Sequence, residues 1–370
     1  MLKIGILGLG TVGSGLVKIL TNNSKNINNR SGKEIKIEKV LVKNLSKKRN
    51  IKLNSKLLTE DSDEILENPE IDIVVELIGG EEPAYEYILK AIQNKKDVVT
   101  ANKLVIAKYG KTIFEKAAQN GVKVKYEASV AGGLPIIKQL KDSLSANNIK
   151  KIYGILNGTT NYILTNMTKN QQDFNKALKK AKELGYAEKD PSSDIEGYDA
   201  AYKITILASL AFQNFIDVNS VYTEGIQNID SEDIKFASEL GYIIKLLAVA
   251  KNTDKGFDIR VHPAFVPKEN QLAMIDGNYN CVSLNGDAVG KVITTAKGAG
   301  AMPTGSAVAA DIIDLAKNNK FLKKEMENMD LTFNSDLVNI EEVKNSFYIR
   351  MKVNDKPGVM AKIASIFGKY

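Results

Sequence analysis

The first 134 residues alternate between short runs that are apolar on both faces and segments with apolar positions at helical spacing. "LKIGILG" (2–8), "IKIEKVLVK" (35–43), "IDIVVELIG" (71–79), "KDVVTANK" (96–103) and "VKVKYEAS" (122–129) read as strands. Helices are expected at "TVGSGLVKIL" (11–20), at "PAYEYILKAIQN" (83–94) with Pro83 near its first turn, and at "KTIFEKAAQNG" (111–121), closed by Gly121. The polar stretch 22–34 reads as a loop. Strands apolar on both faces and alternating with helices predict a parallel, doubly wound sheet.

The pattern changes after about residue 135. Helical periodicity clusters at 133–147, 159–169, 173–184 and 198–213, and strand-like runs follow near 241–250, 257–266, 278–284 and 288–295. "TGSAVAADIIDLAKNN" (304–319) is a helix expected to return the chain to the first domain. The division is therefore 1–134 plus 303–320 for an α/β domain and 135–302 for a mixed α+β domain. The tail "FYIRMKVNDKPGVMAKIASIFGKY" (347–370) reads as one strand, a turn and one amphipathic helix, too little to bury a core alone.

Composition narrows the function classes. The 370 residues carry a formal net charge of +7, but the lysines are spread along the chain and often alternate with asparagine. No zinc-finger spacing or aromatic RNA-binding motif accompanies them, so no nucleic-acid partner is expected. The apolar runs fall short of the ~20 residues that span a bilayer, so no membrane partner is expected either. One cysteine, Cys281, excludes an intramolecular disulfide, and the cytoplasm is the default location. One histidine, His262, lies in an alternating stretch that suits a structural role. Acid–base chemistry therefore falls to lysine or carboxylate.

"GILGLGTVGSG" places Gly8, Gly10 and Gly13 in G-x-G-x-x-G spacing directly after a strand and opening a helix. In that context the motif is a Rossmann-type dinucleotide fingerprint, with the amides of Thr11 and Val12 meeting the pyrophosphate. An NAD-preferring site usually ends the second strand on an acid. Here it ends on Lys43 and Asn44, followed by Lys47, Lys48 and Arg49, which favours the 2′-phosphate of NADP(H); a solvated basic loop is the alternative. Lys103 in "VVTANKL" lies just beyond a strand's carboxyl end, where ligands bind in such sheets. Carbonyls freed in the turn of "YEASVAGGLPIIKQL" could hold a small cation.

"LGYAEKDPSSDIEGYDAAYK" (184–203) contains Glu188, Asp190, Asp194, Glu196 and Asp199. Pro191 and Gly185 keep its first part non-helical, and the next helix starts near Tyr198, so Asp199 and Lys203 share a face at i, i+4. An exposed pair there would be worth only ~0.3–0.5 kcal/mol. The apolar continuation "ITILASLAF" instead argues that the pair is buried. In that case Asp199 should raise the pKa of Lys203, while Lys103 and an oxidised nicotinamide would push it the other way.

The motifs "GLGTVGSG", "TANK", "EASVAGGLPII", "GILNGTTNYIL", "ELGYAEKDPSSDIEGYDAAYK" and "GAGAMPTGSAVAAD" together resemble homoserine dehydrogenase over residues 2 to about 320. The tail resembles the opening of an ACT domain, incomplete at 345–370. The resemblance implies NADPH- or NADH-dependent reduction of L-aspartate 4-semialdehyde to L-homoserine, on the way to threonine and methionine. It implies a proton-donating Lys203, with Lys103 and Asp199 beside it. Substrate would be bound by Glu188 (at its ammonium), Asp194, Asp199, Gly158, Thr159 and Tyr186. Thr100, Lys103, Gly185 and Gly300 would face the cofactor. It also implies a structural sodium or potassium ion held by carbonyls of Glu127, Val130, Gly132 and Leu134, and a homodimer paired through 241–296. Where many family members carry Arg-Asp, this chain has Lys43-Asn44, so use of NAD(H) stays open. Two other readings remain: another amino-acid dehydrogenase on the same scaffold, or a nucleotide-binding regulator that senses an amino acid.

Overall fold

The computed structural model describes residues 1–49, 51, 53–317 and 337–369. Six parallel strands, β1 (Leu2–Leu7), β2 (Ile35–Leu41), β3 (Leu58–Thr59), β4 (Ile73–Glu76), β5 (Asp97–Thr100) and β6 (Val124–Lys125), form one sheet in the order β3-β2-β1-β4-β5-β6. This is the order of a doubly wound dinucleotide fold, with its reversal point between β1 and β4. Ile4, Ile6, Ile73, Val74, Val75, Val98 and Val99 are buried on both faces of its centre. The helices of this part are α1 (Thr11–Asn22), α2 (Ser24–Ser31), α3 (Asp63–Leu66), α4 (Ala84–Gln93) and α5 (Lys103–Asn120).

Several boundaries differ from the sequence reading. The expected loop 22–34 contains α2, whose only buried apolar residue is Ile27, so periodicity could not reveal it. Helix α5 begins at Lys103 rather than 111, because the Asn102 side chain accepts the Val105 N–H and caps it. The strand expected at 122–129 is only β6, after which Glu127–Ser129 forms a 3₁₀ turn. The helix expected over 133–147 is cut to α6 (Ile136–Lys138) and a π turn at Gln139–Ser143.

The second sheet has the order β12-β11-β7-β9-β10-β8, from β7 (Ile149–Ile155), β8 (Tyr222–Thr223), β9 (Tyr242–Thr253), β10 (Gly256–Pro267), β11 (Tyr279–Gly286) and β12 (Gly290–Lys297). It is antiparallel except where β8 joins β10. Helices α7 (Gly158–Asn170), α8 (Phe174–Glu183), α9 (Ser192–Ile195), α10 (Tyr198–Ala211) and α11 (Ser231–Glu239) accompany it. The sequence reading lacked β7 and α11. In β7 the exposed Lys150 and Lys151 interrupt the apolar alternation. His262 accepts from Arg260 Nε at 3.0 Å and pairs with the Pro263 carbonyl at 2.8 Å, bonds that suit a structural role.

Helix α12 (Ala301–Ala316) returns to pack on α1: a Cβ on Gly15 would lie 1.9 Å from the Ala301 carbonyl oxygen. Residues 318–320 of the expected helix and domain lie outside the described residues. The tail is not a strand at 347–353. It is held by Arg350, which pairs with Asp230, Glu232 and Asp233, and by Tyr348 stacked on Phe265 at 4.8 Å. It ends in α13 (Val359–Phe367), none of whose residues is buried. Among the described residues, no helix is long and apolar enough to cross a membrane.

Candidate active site

Helices α5 and α10 pack together across the two halves of the molecule, and each starts at the same cleft. Lys103 opens α5, directly after the carboxyl end of β5. Tyr198 opens α10, whose buried Ala200, Ala201, Ile204 and Leu207 sink that helix into the interior. Gly197, with φ +91°, makes the turn into it. Asp199 therefore lies in a helical first turn, where backbone N–H groups favour a carboxylate.

Asp199 holds both lysines. Its Oδ1 is 2.6 Å from Lys103 Nζ, and its Oδ2 is 2.6 Å from Lys203 Nζ. Lys203 Nζ also donates to the Leu156 carbonyl at 2.8 Å. The two lysines differ in surroundings: the Lys203 side chain is 11% exposed and that of Lys103 is 40% exposed. Burial alone would push the Asp199 carboxyl up, but the two ammonium groups outweigh it and hold it well below the usual carboxylate range. The Asp199 charge raises the Lys103 pKa, with Asp194 and Glu188 adding to it. For Lys203 the raising effect of Asp199 does not prevail. Burial outweighs Asp199, Lys103 adds repulsion, and its pKa falls below the ordinary lysine value.

The residue missed in the sequence is Asn157. Its Nδ2 donates to Asp194 Oδ1 at 2.6 Å and to Asp199 Oδ2 at 2.8 Å, while its Oδ1 accepts the Thr160 N–H and caps α7. Asp194 therefore bonds to an amide rather than to a lysine, and burial and the Asp199 charge raise its pKa. The Asn-Gly pair of "LNGTTN" before a helical run is an N-cap signal that could have exposed it. Asn157→Asp separates capping from networking. The cap survives, but both amide donations are lost and a third buried carboxylate faces two others, so kcat/KM should fall roughly 10-fold or more and the thermal midpoint should drop with it.

The remaining predicted residues fall into three places. Gly158 and Thr159 form the first turn of α7. A Cβ on Gly158 would meet the Asn278 carbonyl oxygen at 2.8 Å, and Thr159 Oγ1 donates to the Tyr186 carbonyl at 2.7 Å. Tyr186 packs edge-on against Tyr162, and Glu188 stays exposed near Lys103. Asp190 is exposed and accepts from its neighbour Ser192, so the acids of this segment do not converge on one point.

At the other end of the cleft, Gly8 (φ +104°) and Gly13 shape the turn after β1. A Cβ on Gly8 would lie 2.8 Å from the Leu77 carbonyl oxygen, and one on Gly13 would lie 2.3 Å from that of Gly8. Around Gly10 there is open space. No side chain caps α1 and no acid lies in its first turn, so the amides of Thr11 and Val12 suit a phosphate. Gly300 is the N-cap of α12 beside α1. Thr100, fully buried, donates to Glu76. Lys43 and Asn44 are exposed just past β2, in a loop that Arg49 closes by donating to the Lys47 and Asn44 carbonyls. Gly185 lies in an exposed left-handed turn after α8, and its N–H donates to the Lys182 carbonyl at 3.1 Å.

In the turn at 127–134, Glu127 and Leu134 carbonyls accept the Val130 and Ile136 N–H groups, at 3.4 Å and 2.8 Å. Ala131 and Gly132 have φ of +55° and +46°. Beneath it, buried Asp311 accepts the Glu127 N–H at 2.9 Å, and burial pushes its carboxyl up to about 7. Between the ordinary carboxylate value and that pKa, the folded state holds a proton that the unfolded state has released. Stability is therefore lost as pH rises through this window. Asp311→Asn, which keeps the acceptor, should raise the thermal midpoint at pH above roughly 7, with the gain vanishing by about pH 4.

Residues 135–313 match the family model described as homoserine dehydrogenase, and residues 8–127 match that of its NAD-binding domain. The chain is 44% identical to the homoserine dehydrogenase of Neisseria gonorrhoeae, over 99% of this chain and 85% of that protein. It is 45% identical to that of Synechocystis sp., over 100% and 87%. A crystal structure of the Thiobacillus denitrificans homoserine dehydrogenase superposes with a TM-score of 0.92 at 42% identity, covering 100% of this chain and 86% of that one. A hyperthermophilic archaeal homoserine dehydrogenase in complex with NADPH gives 0.71 at 27% identity, covering 85% and 97%.

Proposed function

The chain belongs to the homoserine dehydrogenase family, an NAD(P)-dependent oxidoreductase interconverting L-aspartate 4-semialdehyde and L-homoserine, and we propose that the Lys103–Asp199–Lys203 cluster is its reaction centre. The observation that carries this assignment is one buried carboxylate gripping two ammonium groups from the two halves of the cleft, each at 2.6 Å.

A nicotinamide dinucleotide held at its pyrophosphate by the turn after β1 would supply or accept the hydride. Reduction leaves negative charge on the former aldehyde oxygen, which needs a donor held in place beforehand. Lys203 is that donor. Burial makes its ammonium a better acid than a free lysine, and the Leu156 carbonyl and Asp199 fix its direction. Lys103, held cationic by Asp199, stabilises the developing charge without giving up its proton. Glu188 is positioned to receive the substrate ammonium near Lys103, and Gly158, Thr159 and Tyr186 bound the substrate from the α7 side. Asp194 and Asp199, tied through Asn157, complete the pocket. Aspartate semialdehyde-dependent oxidation of NADPH tests the activity. Turnover of a different carbonyl in its place would favour another amino-acid dehydrogenase.

For the cofactor, we read the amides of Thr11 and Val12 and glycines 8, 10 and 13 as the pyrophosphate site, with Gly185 and Gly300 lining the rest; the Thr100 side chain, fully buried against Glu76, does not line it. The cation at Lys43, with no acid at the end of β2, supports NADP(H) over NAD(H). Lys43→Glu should raise the KM for NADPH roughly 10-fold or more while changing that for NADH much less. Equal effects on both would remove the 2′-phosphate role.

The same reading places a monovalent cation on the carbonyls of Glu127, Val130, Gly132 and Leu134. Loss of thermal stability on replacing sodium or potassium by tetramethylammonium would check it. It takes 1–134 with 303–320 as the cofactor domain and 135–302 as the substrate and pairing domain. It takes the strand region 241–296 as the part that pairs two subunits into a homodimer. Light scattering should report twice the 40.5 kDa chain mass. A cytoplasmic setting suits the unpaired, buried Cys281, whose thiol burial pushes up to about 11; cell fractionation tests it.

A further inference from the structure

Glu76 is a fully buried carboxylate at the carboxyl end of β4, beside the reversal point of the first sheet. Among the described residues no lysine or arginine pairs with it, so nothing neutralises its charge locally. Burial raises its pKa against the pull of the bonds it accepts. A side chain kept there only to fill space would be cheaper as an apolar one. Its donors say what it does instead. Oε1 accepts the N–H groups of Ile78 at 2.8 Å and Gly79 at 3.2 Å, and Oε2 accepts the Thr100 hydroxyl at 2.6 Å.

The chain of bonds continues to the reaction centre. Thr100 Oγ1 accepts the Asn102 N–H at 2.9 Å, so its own hydrogen is directed at Glu76 and the carboxyl acts as an acceptor on both oxygens. Asn102 then caps α5 by accepting the Val105 N–H at 3.2 Å, and its Nδ2 donates to the Gly80 carbonyl at 2.8 Å. The first residue of the capped helix is Lys103, whose Nζ meets Asp199. Every link is buried or nearly so: Thr100 is 0% and Asn102 6% exposed.

We propose that Glu76 is a positioning residue: through Thr100 and Asn102 it fixes the start of α5 and so aims Lys103 at Asp199 and the reacting oxygen. Lys103 lies on the more open side of the cluster, with 40% of its side chain exposed, so packing alone does not hold it. The Glu76 chain supplies the constraint from below, as the Leu156 carbonyl and α10 do for Lys203. This inference rests on the catalytic role assigned above to Lys103.

The test is a mutant cycle on the full chain, read by steady-state kinetics and by NADPH fluorescence titration. Glu76→Gln should lower kcat roughly 10- to 100-fold with the NADPH Kd changed less than about 3-fold, and in a Lys103→Met background it should cost less than about 2-fold more. Should Glu76→Gln fail to fold, Thr100→Val breaks the same chain at nearly constant volume, and Thr100→Ser should restore turnover. A merely structural carboxylate would lower the thermal midpoint and lose activity by the same factor with or without Lys103. Additive losses across the cycle, an unaffected Thr100→Val, or a loss confined to NADPH affinity would each overturn the inference. If Lys103→Met alone costs nothing, the assignment of Lys103 fails, and this inference fails with it.

Discussion

Replacing Lys203 by alanine should reduce kcat by about 10²- to 10⁴-fold, the range expected for loss of a positioned general acid, while the NADPH Kd stays within a few-fold. The fold should survive because Asp199 keeps two donors, Lys103 Nζ at 2.6 Å and Asn157 Nδ2 at 2.8 Å. The pH dependence gives a second check. Burial sets the Lys203 pKa below the ordinary lysine value, so its proton is lost at lower pH than from a surface lysine. Reduction needs the ammonium form and should decline as pH rises through that value. Oxidation of the alcohol needs the neutral amine and should rise over the same interval. Stopped-flow or steady-state rates in both directions over roughly pH 6 to 10 would show the two limbs, and both should vanish in Lys203→Ala. Retention of the limbs in the variant would assign them to another group.

The doubly wound sheet was legible because its central strands carry unbroken apolar runs and its first turn carries three glycines at fixed spacing. Asp199 and Lys203 were legible as a pair, since i, i+4 spacing needs only a helix. The sign of the Lys203 shift was not. It depends on how deeply α10 is sunk, a tertiary quantity that outweighs the neighbouring charge. Asn157, Glu76 and Asn102 escaped for a related reason. Each has an ordinary local role as a cap or a strand end, and the second role appears only when residues 37 to 42 positions apart, as for Asn157 with Asp194 and Asp199, come within hydrogen-bond distance. Helix α2 and strand β7 were missed because lysines and asparagines dilute their apolar faces.

Asp199→Asn should be the most damaging single change at the centre, since one substitution acts on both lysines. The asparagine has one acceptor oxygen where two ammonium groups and the Asn157 amide now share two. One of these donors must then face the new amide's own N–H₂ group. Buried Lys203 loses the larger of the two charges that oppose its desolvation, Asp194 being the other, and Lys103 still repels it, so its pKa falls further and the donor form is depleted. Breaking a buried ion pair from one side costs about 3–5 kcal/mol, and the lower part of that range fits here because Lys103 is partly solvated. Denaturant unfolding at neutral pH should register this loss, and kcat should fall at least as far as in Lys203→Ala. The wild-type advantage should also disappear in acid. The Asp199 pKa is depressed in the folded state, so its contribution is complete above the unfolded carboxylate value and is lost as pH falls below it. The two proteins' stabilities should therefore converge toward low pH. If Asp199→Asn kept wild-type stability at neutral pH, the two lysines would not depend on its charge, and the carboxylate-centred arrangement would have to be abandoned.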